Sequence, residues 1–564
     1  MRRRCAAVGL SAVLLALAPV AAPLAQDSPT LGAMRDELAR SMASLRLKDE
    51  PAPYYIAYDV DDLAGTRVTA QLGALIVDSA GRSRRLRVEV RVGDYAFDSS
   101  RFVSQQRGRG GPLSGVATAS MPLDEDYDNL RREIWLATDT AYKRAVTIFA
   151  RKKAAFQNRV AAADSLADFS RETPAETLLT PIEPAPVESD WTARVKDISL
   201  TLGSHPDIQT SEVTVATSRG THYFVNSEGF KVVEPIQIAS LRMMADAQAD
   251  DGMQLREVFT RTESRLEDLP AAAELVARAR AMSARVVGRR TAPIGDEYAG
   301  PVLIEGDASA EFVAQTLVQL MLARRAPDAD NLRMARIAQN QVTPFLTRIG
   351  LRVLPDAFSV RDTPSLAEFD GRPVPGAYVV DAEGVPARDV TLVERGRLLT
   401  LLTGRTPQKN LPQSNGHDRG GGVQAGVFQV QSAQAVPSAD LKARLLELLK
   451  IQNKEFGYIV RSLGDPEDGQ TGEAIVGSPV ILDAVRVRPD GREEPVRGLR
   501  FANIAFSAFK DVAEASEERV LYSYQADSGA VVSLIVPDLM FEELEIQPLG
   551  DIAQRPPIVP SPLR

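Results

Sequence analysis

Cysteine is almost missing from this chain of 564 residues, which contains only Cys5. A single thiol cannot form a disulfide within the chain, so the fold must be stabilised by burial of its apolar core. Histidine occurs only three times, as His205, His222 and His417. His205 and His222 are typical of structural histidines in a turn and a strand, whereas His417 lies in a glycine-rich segment with a stronger claim to a direct role.

An excess of positive charge is also missing. The chain has 66 lysines and arginines against 75 acidic residues, which gives a formal net charge of -9. Nucleic-acid binding requires a basic patch or stripe, so a nucleic-acid partner is not expected. The arginine-rich residues 106–111 form one short copy, which is typical of a solvated loop. The sequence also has no Gly-x-Ser-x-Gly elbow and no phosphate-binding glycine loop.

Long apolar runs are absent after the first 25 residues. Charged residues interrupt every later run before it approaches the roughly 20 residues of a membrane-spanning helix, so no membrane span is expected. The N-terminus has basic residues 2–4, an apolar stretch over residues 6–18 and small residues over 20–25. This order is typical of a secretory signal peptide. We expect residues 1–25 to be removed, together with Cys5, and the remaining chain to be periplasmic or secreted.

The hydrophobic pattern predicts an α+β protein with an α/β N-terminal domain over residues 26–290. Aliphatic residues at helical spacing predict helices at residues 30–47, 126–160 and 271–287. Alternating aliphatic residues predict strands at residues 85–92, 197–202, 212–217 and 221–226. Residues 218–220 are predicted to form a turn between the last two strands. Four prolines without periodicity indicate a linker or surface excursion at residues 172–188.

The second half, residues 291–564, is predicted to be an antiparallel β-rich, barrel-like domain. Short strand patterns separated by glycine, proline and aspartate are typical of such folds. Helices are predicted at residues 308–324, 438–450 and 505–515. Ser438 follows a proline and is predicted to be the N-cap of the second of these helices.

Three segments of the sequence carry a resemblance to a known family. The first covers residues 219–229 and contains the turn Asn-Ser-Glu-Gly at residues 226–229, and the third covers residues 491–500, followed by Asn503 and Ile504. The second and most specific runs from Asp-Ala-Glu-Gly at residues 381–384 to Asn-Gly-His-Asp-Arg-Gly-Gly at residues 415–421. Together these segments resemble the TldD/PmbA (TldD/TldE) family of metallopeptidase-related proteins.

The resemblance implies that the catalytic zinc motif is missing here. In the catalytic branch of the family, a His-Glu-x-x-x-His helix follows an apolar strand, and its two imidazoles bind zinc while its glutamate acts as general base. Matching that strand to residues 302–304 puts Glu305 and Ala310 at the imidazole positions and Gly306 at the position of the base. Zinc sites of this kind need histidine or cysteine ligands, so no cofactor is expected in this chain. Zinc is expected only in a catalytic partner.

The resemblance further implies a role in proteolysis of extended peptides. The chain would be the zinc-lacking subunit, paired with a zinc-motif TldD-like homologue or with a second copy of itself. An alternative is an envelope peptide-binding or structural protein that keeps the fold without peptidase activity. A third reading, a peptidase that uses Glu305, Asp307 or His417 with a metal, has no complete catalytic constellation in the sequence.

Two sets of residues are singled out as candidate sites. Glycines in the second segment permit positive backbone φ or close approach of another chain. The residues expected to contact substrate or partner are Asn226, Ser227, His417, Asp418, Gly420 and Gly421. The acidic residues Glu305, Asp307 and Glu311 would either hold a hard cation such as Ca²⁺ or Mg²⁺ or satisfy the amides at a helix start.

Overall fold

The computed structural model describes residues 28–103, 115–157, 166–187, 190–339, 342–464 and 478–549, apart from residues 503 and 505. The predicted signal peptide and the arginine-rich residues 106–111 lie outside the described residues. Among the helices that are described, none is both long enough and apolar enough to cross a membrane.

Helices and strands alternate irregularly along the chain. The helices are α1 Pro29–Ser44, α2 Tyr127–Phe156, α3 Trp191–Leu202, α4 Ala272–Gly288, α5 Asp307–Gln315, α6 Leu317–Met321, α7 Leu332–Gln339 and α8 Ser438–Ile451. The strands before residue 290 are β1 Pro53–Gln71, β2 Ala74–Val92, β3 Phe102–Val103, β4 Val116–Ser120, β5 Glu176–Leu178, β6 Ile208–Asn226, β7 Lys231–Gln248 and β8 Gln254–Glu263. The later strands are β9 Tyr298–Ile304, β10 Asp328–Ala329, β11 Phe358–Asp362, β12 Glu368–Phe369, β13 Arg372–Pro373, β14 Val390–Glu394, β15 Arg397–Leu398, β16 Val427–Ser432, β17 Gly457–Leu463, β18 Val480–Val487, β19 Glu493–Val496, β20 Leu499–Ala502, β21 Val512–Gln525 and β22 Val531–Pro548.

The N-terminal half is a seven-stranded sheet in the order β4-β2-β1-β6-β7-β5, with β8 paired to β7. All its pairs are antiparallel except β5 with β7. Helices α1 and α2 pack on one stretch of this sheet, and α3 and α4 pack on another. Because the strands are antiparallel and the helices cover one face, this half is an α+β layer in place of repeated α/β units.

Strand periodicity decides which residues meet these helices. Side chains alternate between the two faces of a strand. Ile56, Tyr58 and Val60 on β1 lie in the core under the helices, so Asp59 and Asp61 lie on the opposite face. That opposite face also carries Tyr55, which packs with Val380 from the C-terminal half.

The C-terminal half contains the closed barrel. Strands β22, β20, β18, β17 and β9 pair in that order, and β9 pairs back with β22 to close the ring. Strands β16, β11, β14 and β15 extend the sheet from β22. The α+β class with a barrel-like C-terminal region is therefore confirmed.

Two predictions in the N-terminal half were wrong. Residues 197–202 belong to helix α3, because Trp191, Val195, Ile198 and Leu202 are buried at helical spacing. The alternation seen at residues 198, 200 and 202 covered too short a window to reveal this. The predicted turn at residues 218–220 is also absent, because β6 runs continuously through it. Gly220 is required there by the close approach of β1, since a Cβ would collide with the backbone of Asp62.

Three predictions in the C-terminal half need correction. The helix at residues 308–324 is split into α5 and α6 at Thr316, whose hydroxyl donates to the Phe312 carbonyl and bends the chain. Residues 505–515 form a 3₁₀ turn at Phe506–Asp511, after which β21 begins because Val512 pairs with Phe541. Ser438 is the first residue of α8 and binds Glu518 at 2.8 Å, so it is not the N-cap.

Candidate functional site

The segment that the resemblance matches to the family's zinc motif forms a corner between β9 and α5. Gly306 has a φ of 59°, and its amide donates to the Asp538 carboxylate at 2.6 Å. The Glu305 carboxylate lies 3.2 Å from the Arg461 guanidinium. Ala310 is fully buried in the barrel core. The Glu305 side chain therefore serves ion pairing in this corner, and the Ala310 side chain serves packing.

The acidic residues of this corner do not converge on one point. Asp307 pairs with Arg261 at 2.9 Å, and the Glu311 carboxylate accepts a hydrogen bond from the Leu463 amide at 3.1 Å. Glu305 has its own partner in Arg461. Asp307 lies in the first turn of α5, where a negative charge is stabilised by the helix dipole. The geometry favours separate roles for the three acids over a shared cation, with Asp307 alone at the helix start.

The turn at residues 226–229 is built around Asn226. Its side-chain oxygen accepts the amides of Glu228 and Phe230 at 3.0 and 3.2 Å. Ser227 exchanges two hydrogen bonds with Ile56 on β1, one through its hydroxyl and one through its amide. These contacts hold the turn rigidly against the sheet and project Glu228 towards the C-terminal half.

Arg405 joins that turn to the second family segment. Its guanidinium forms two hydrogen bonds with the Glu228 carboxylate and is fully buried. It also stacks on the Phe169 ring at 3.8 Å and donates to the Ser170 carbonyl. The Arg405 amide donates to the Glu383 carboxylate at 2.7 Å. The first and second family segments, which are far apart in the sequence, are thus connected through the buried Arg405 side chain.

Three carboxyl groups, Asp381, Glu383 and Asp418, cluster beside this arginine. Asp381 accepts the amides of Glu383 and Val385 through one oxygen and the amide of Asp418 through the other. We call these residues the acid triad. The triad faces the side of the N-terminal sheet that lies opposite its helices. There the charges of Arg87 and Arg91 on β2 act on Asp418.

Burial and mutual repulsion favour protons on the acid triad. Burial, followed by the charge of Asp418, raises the pKa of Asp381 to about 8. Burial and then Asp418 hold the pKa of Glu383 well above its usual range, and burial raises that of Asp418. A protonated carboxyl can donate a hydrogen bond as well as accept one. The triad can therefore both donate and accept hydrogen bonds.

We predict that the acid triad makes folding stability fall as the pH rises. A carboxyl group whose pKa is higher in the folded state takes up a proton on folding between the two pKa values. For Asp381 this window runs from 3.8 to about 8, and stability is lost across it at about 1.4 kcal/mol per pH unit for each proton taken up. Urea denaturation of the wild type and of Asp418→Asn at pH 5 and pH 8 measures the effect. The variant should show the smaller loss, and an equal loss in both proteins would contradict the prediction.

His417 is buried beneath the glycine tip of residues 420–422. Its Nε2 lies 3.3 Å from the Asp362 carboxylate, and its Nδ1 lies 3.0 Å from the side-chain oxygen of Asn415. The Asp418 carboxylate accepts the amide of Gly420 at 2.9 Å. Gly420 and Gly421 are exposed. The imidazole therefore holds the base of the loop, while the two glycines form its accessible part.

The predicted contact residues Asn226, Ser227, His417, Asp418, Gly420 and Gly421 thus belong to the region where the two halves meet. Contact with substrate or partner stays a prediction for all six. Arg405 was missed because nothing in its sequence surroundings indicates a buried cation. Glu228 and Glu383 were also missed, although both lie within the family segments. The signal that could have identified them is an acidic residue directly before the glycine of a turn.

The comparisons with known proteins agree with this architecture. Residues 297–548 match the family described as the PmbA/TldA metallopeptidase C-terminal domain. The structure of TldE from Thermococcus kodakarensis is similar with a TM-score of 0.56 and 14% identity, covering 91% of this chain and 100% of that one. At such identity the likeness shows the fold alone.

Two further structures, both named as modulators of DNA gyrase, are similar over most of the chain. The one from Thermotoga maritima has a TM-score of 0.56 and 13% identity, covering 87% of this chain and 96% of that one. The one from Bacteroides thetaiotaomicron has a TM-score of 0.57 and 12% identity, covering 92% and 98% respectively. No curated protein sequence matches the chain.

Proposed function

Because the chain belongs through residues 297–548 to the TldD/PmbA family of metallopeptidase-related proteins, we propose that it supports proteolysis of extended peptides as the zinc-lacking partner of a catalytic homologue. The observation that carries the proposal is the corner between β9 and α5. Ala310, which the resemblance matches to an imidazole position of the catalytic branch, has its methyl group buried in the core, and Gly306, which the resemblance matches to the base, has no side chain.

The junction of the two halves supports a role in holding a peptide or a partner. Gly420 and Gly421 are exposed, and the backbone beneath them is fixed by Asp418 and His417. The exposed Gly421 offers a backbone donor and a backbone acceptor, and an extended peptide can pair with such groups with little dependence on its sequence. The proposal places the chain in the periplasm or outside the cell after removal of residues 1–25.

Isolation of the tagged chain from the cell envelope tests the partnership. We expect a homologue with a His-Glu-x-x-x-His motif to be recovered in near-equal amount. The chain alone should not cleave unfolded peptides, whereas the pair should cleave them. Recovery of the chain alone, with no gain of cleavage when a zinc-motif homologue from the same cells is added, would contradict the proposal and favour the independent peptide-binding protein.

A variant of the glycine tip tests where the peptide or partner binds. Gly421→Gln should lower cleavage by the pair about tenfold, which corresponds to about 1.4 kcal/mol of binding. Gly81→Gln is the matched control, because Gly81 is also exposed and a Cβ there meets nothing within 4 Å. Equal activity of the two variants would contradict the proposal that the peptide or partner binds at the glycine tip.

A further inference from the structure

A separate polar cluster lies on the face of the N-terminal sheet opposite its helices. The His222 Nδ1 lies 2.9 Å from an Asp61 carboxylate oxygen and 3.6 Å from an Asp59 carboxylate oxygen. One donor atom from each of the three residues lies within 4.8 Å of the others. We call Asp59, Asp61 and His222 the HDD cluster.

Strand register brings the HDD cluster together. Asp59 and Asp61 are two residues apart on β1, so both side chains lie on the same face. His222 on β6 stands opposite Asp61, and Glu234 on β7 stands opposite His222. These residues are far apart in the sequence, and four side chains with metal-binding atoms become neighbours only in the sheet.

The charge around the imidazole is strongly negative. Two carboxylates, those of Asp59 and Asp61, lie beside the His222 ring, and Glu234 stands opposite His222 in register. Arg87 stands opposite Asp59 in register, and Arg419 acts on Glu234. Arg87 thus offsets negative charge beside Asp59, and Arg419 offsets negative charge beside Glu234. Acidic side chains around one imidazole form a locally negative site, which attracts a metal cation.

The HDD cluster is also reachable from solvent. The side chains of His222 and Asp59 are 12% and 16% exposed, and that of Asp61 is 41% exposed. An ion can therefore enter from the Asp61 side. Donors that share one zinc ion at about 2.0–2.2 Å lie roughly 3–4 Å apart, so small rotations of these side chains suffice.

We propose that Asp59, Asp61 and His222 bind a divalent transition-metal ion, with Glu234 available as a fourth ligand. One imidazole nitrogen with two or three carboxylate oxygens suits Zn²⁺ or Mn²⁺ better than the purely oxygen-binding Ca²⁺. The bound ion would join β1 to β6 at the centre of the N-terminal sheet. The site lies in a different sheet from the corner at Glu305, and the inference does not depend on the proposed function.

Equilibrium dialysis of the chelator-treated full chain against ZnCl₂ or MnCl₂ tests the site. We expect one ion per chain in the wild type. His222→Gln should lose this ion, and Asp61→Asn should bind it about tenfold or more weakly, since even outer-shell changes cost about 10–100-fold. His205→Gln is the matched control and should bind as the wild type does. None of the substitutions involves Cys5, the only cysteine of the sequence, so a thiol cannot account for differences among the four proteins.

A second measurement keeps the test independent of folding defects. Saturating Zn²⁺ should raise the melting temperature of the wild type and of His205→Gln, because a ligand that binds the folded state stabilises it. Asp61 is partly exposed, so Asp61→Asn is expected to fold and to show a reduced shift. A wild type that retains no ion, or four proteins with the same stoichiometry and affinity, would overturn the inference.

Discussion

Replacing Arg405 by alanine is expected to lower the free energy of unfolding by about 3–5 kcal/mol, the usual cost of breaking a buried ion pair by removing one partner. The guanidinium is fully buried against Phe169, and its loss would leave the Glu228 carboxylate without its main partner. Urea denaturation monitored by circular dichroism measures the change. The effect should be large because both halves of the protein lose a buried contact between them.

Arg388→Ala is the matched control for this variant. Arg388 is exposed and lies in the same region of the chain, so its removal should change stability by no more than about 0.5 kcal/mol. A loss of similar size in both variants would show that the arginine side chain at residue 405 does not join the two halves.

Gly416→Ala is expected to cost about 2–5 kcal/mol, from backbone strain and overpacking together. Gly416 has a φ of 81°, in the left-handed region that favours glycine. A Cβ there would also collide with the Pro386 carbonyl oxygen and lie 2.9 Å from the Cα of Ala387. Since Gly416 precedes His417, the strain should spread to the base of the glycine tip.

Gly350→Ala separates the two contributions. Gly350 has nearly the same φ, 86°, but a Cβ there meets nothing within 4 Å. It should therefore show only the backbone cost of about 1–2 kcal/mol. Thermal denaturation of the two variants measures the difference, and equal losses would contradict the collision at Pro386.

Local patterns predicted the elements whose signal is long and regular. Helix α4 was expected at residues 271–287 and spans Ala272–Gly288, and the strand at residues 85–92 is the inner half of β2. Helix α3 was mistaken for a strand because its periodic residues begin at Trp191, outside the window considered. Gly220 was predicted to be a turn residue, although glycine is needed there because the β1 backbone approaches closely. The distance between the β1 and β6 backbones is set by tertiary structure and cannot be seen in the local sequence.

The candidate site shows the same division. The Asn226 turn and the segment around His417 could be found because each is a compact motif. Arg405 could not, because its role depends on Phe169, Ser170 and Glu228, which lie far away in the chain. The HDD cluster was equally hidden, since the pairing of Asp61 with His222 is decided by the register of β1 on β6.

Closure of the barrel has a consequence for how the protein forms. Strand β9 pairs with β22, so that Ile304 stands opposite Leu539 near the far end of the chain. Pairing over such a sequence distance carries a large entropic cost and slows folding. During synthesis from the N-terminus, β9 emerges long before its partner and keeps an open edge. A strand with an open edge can pair with another nascent chain, so we expect the yield of native protein to fall as the synthesis rate and the crowding of ribosomes increase.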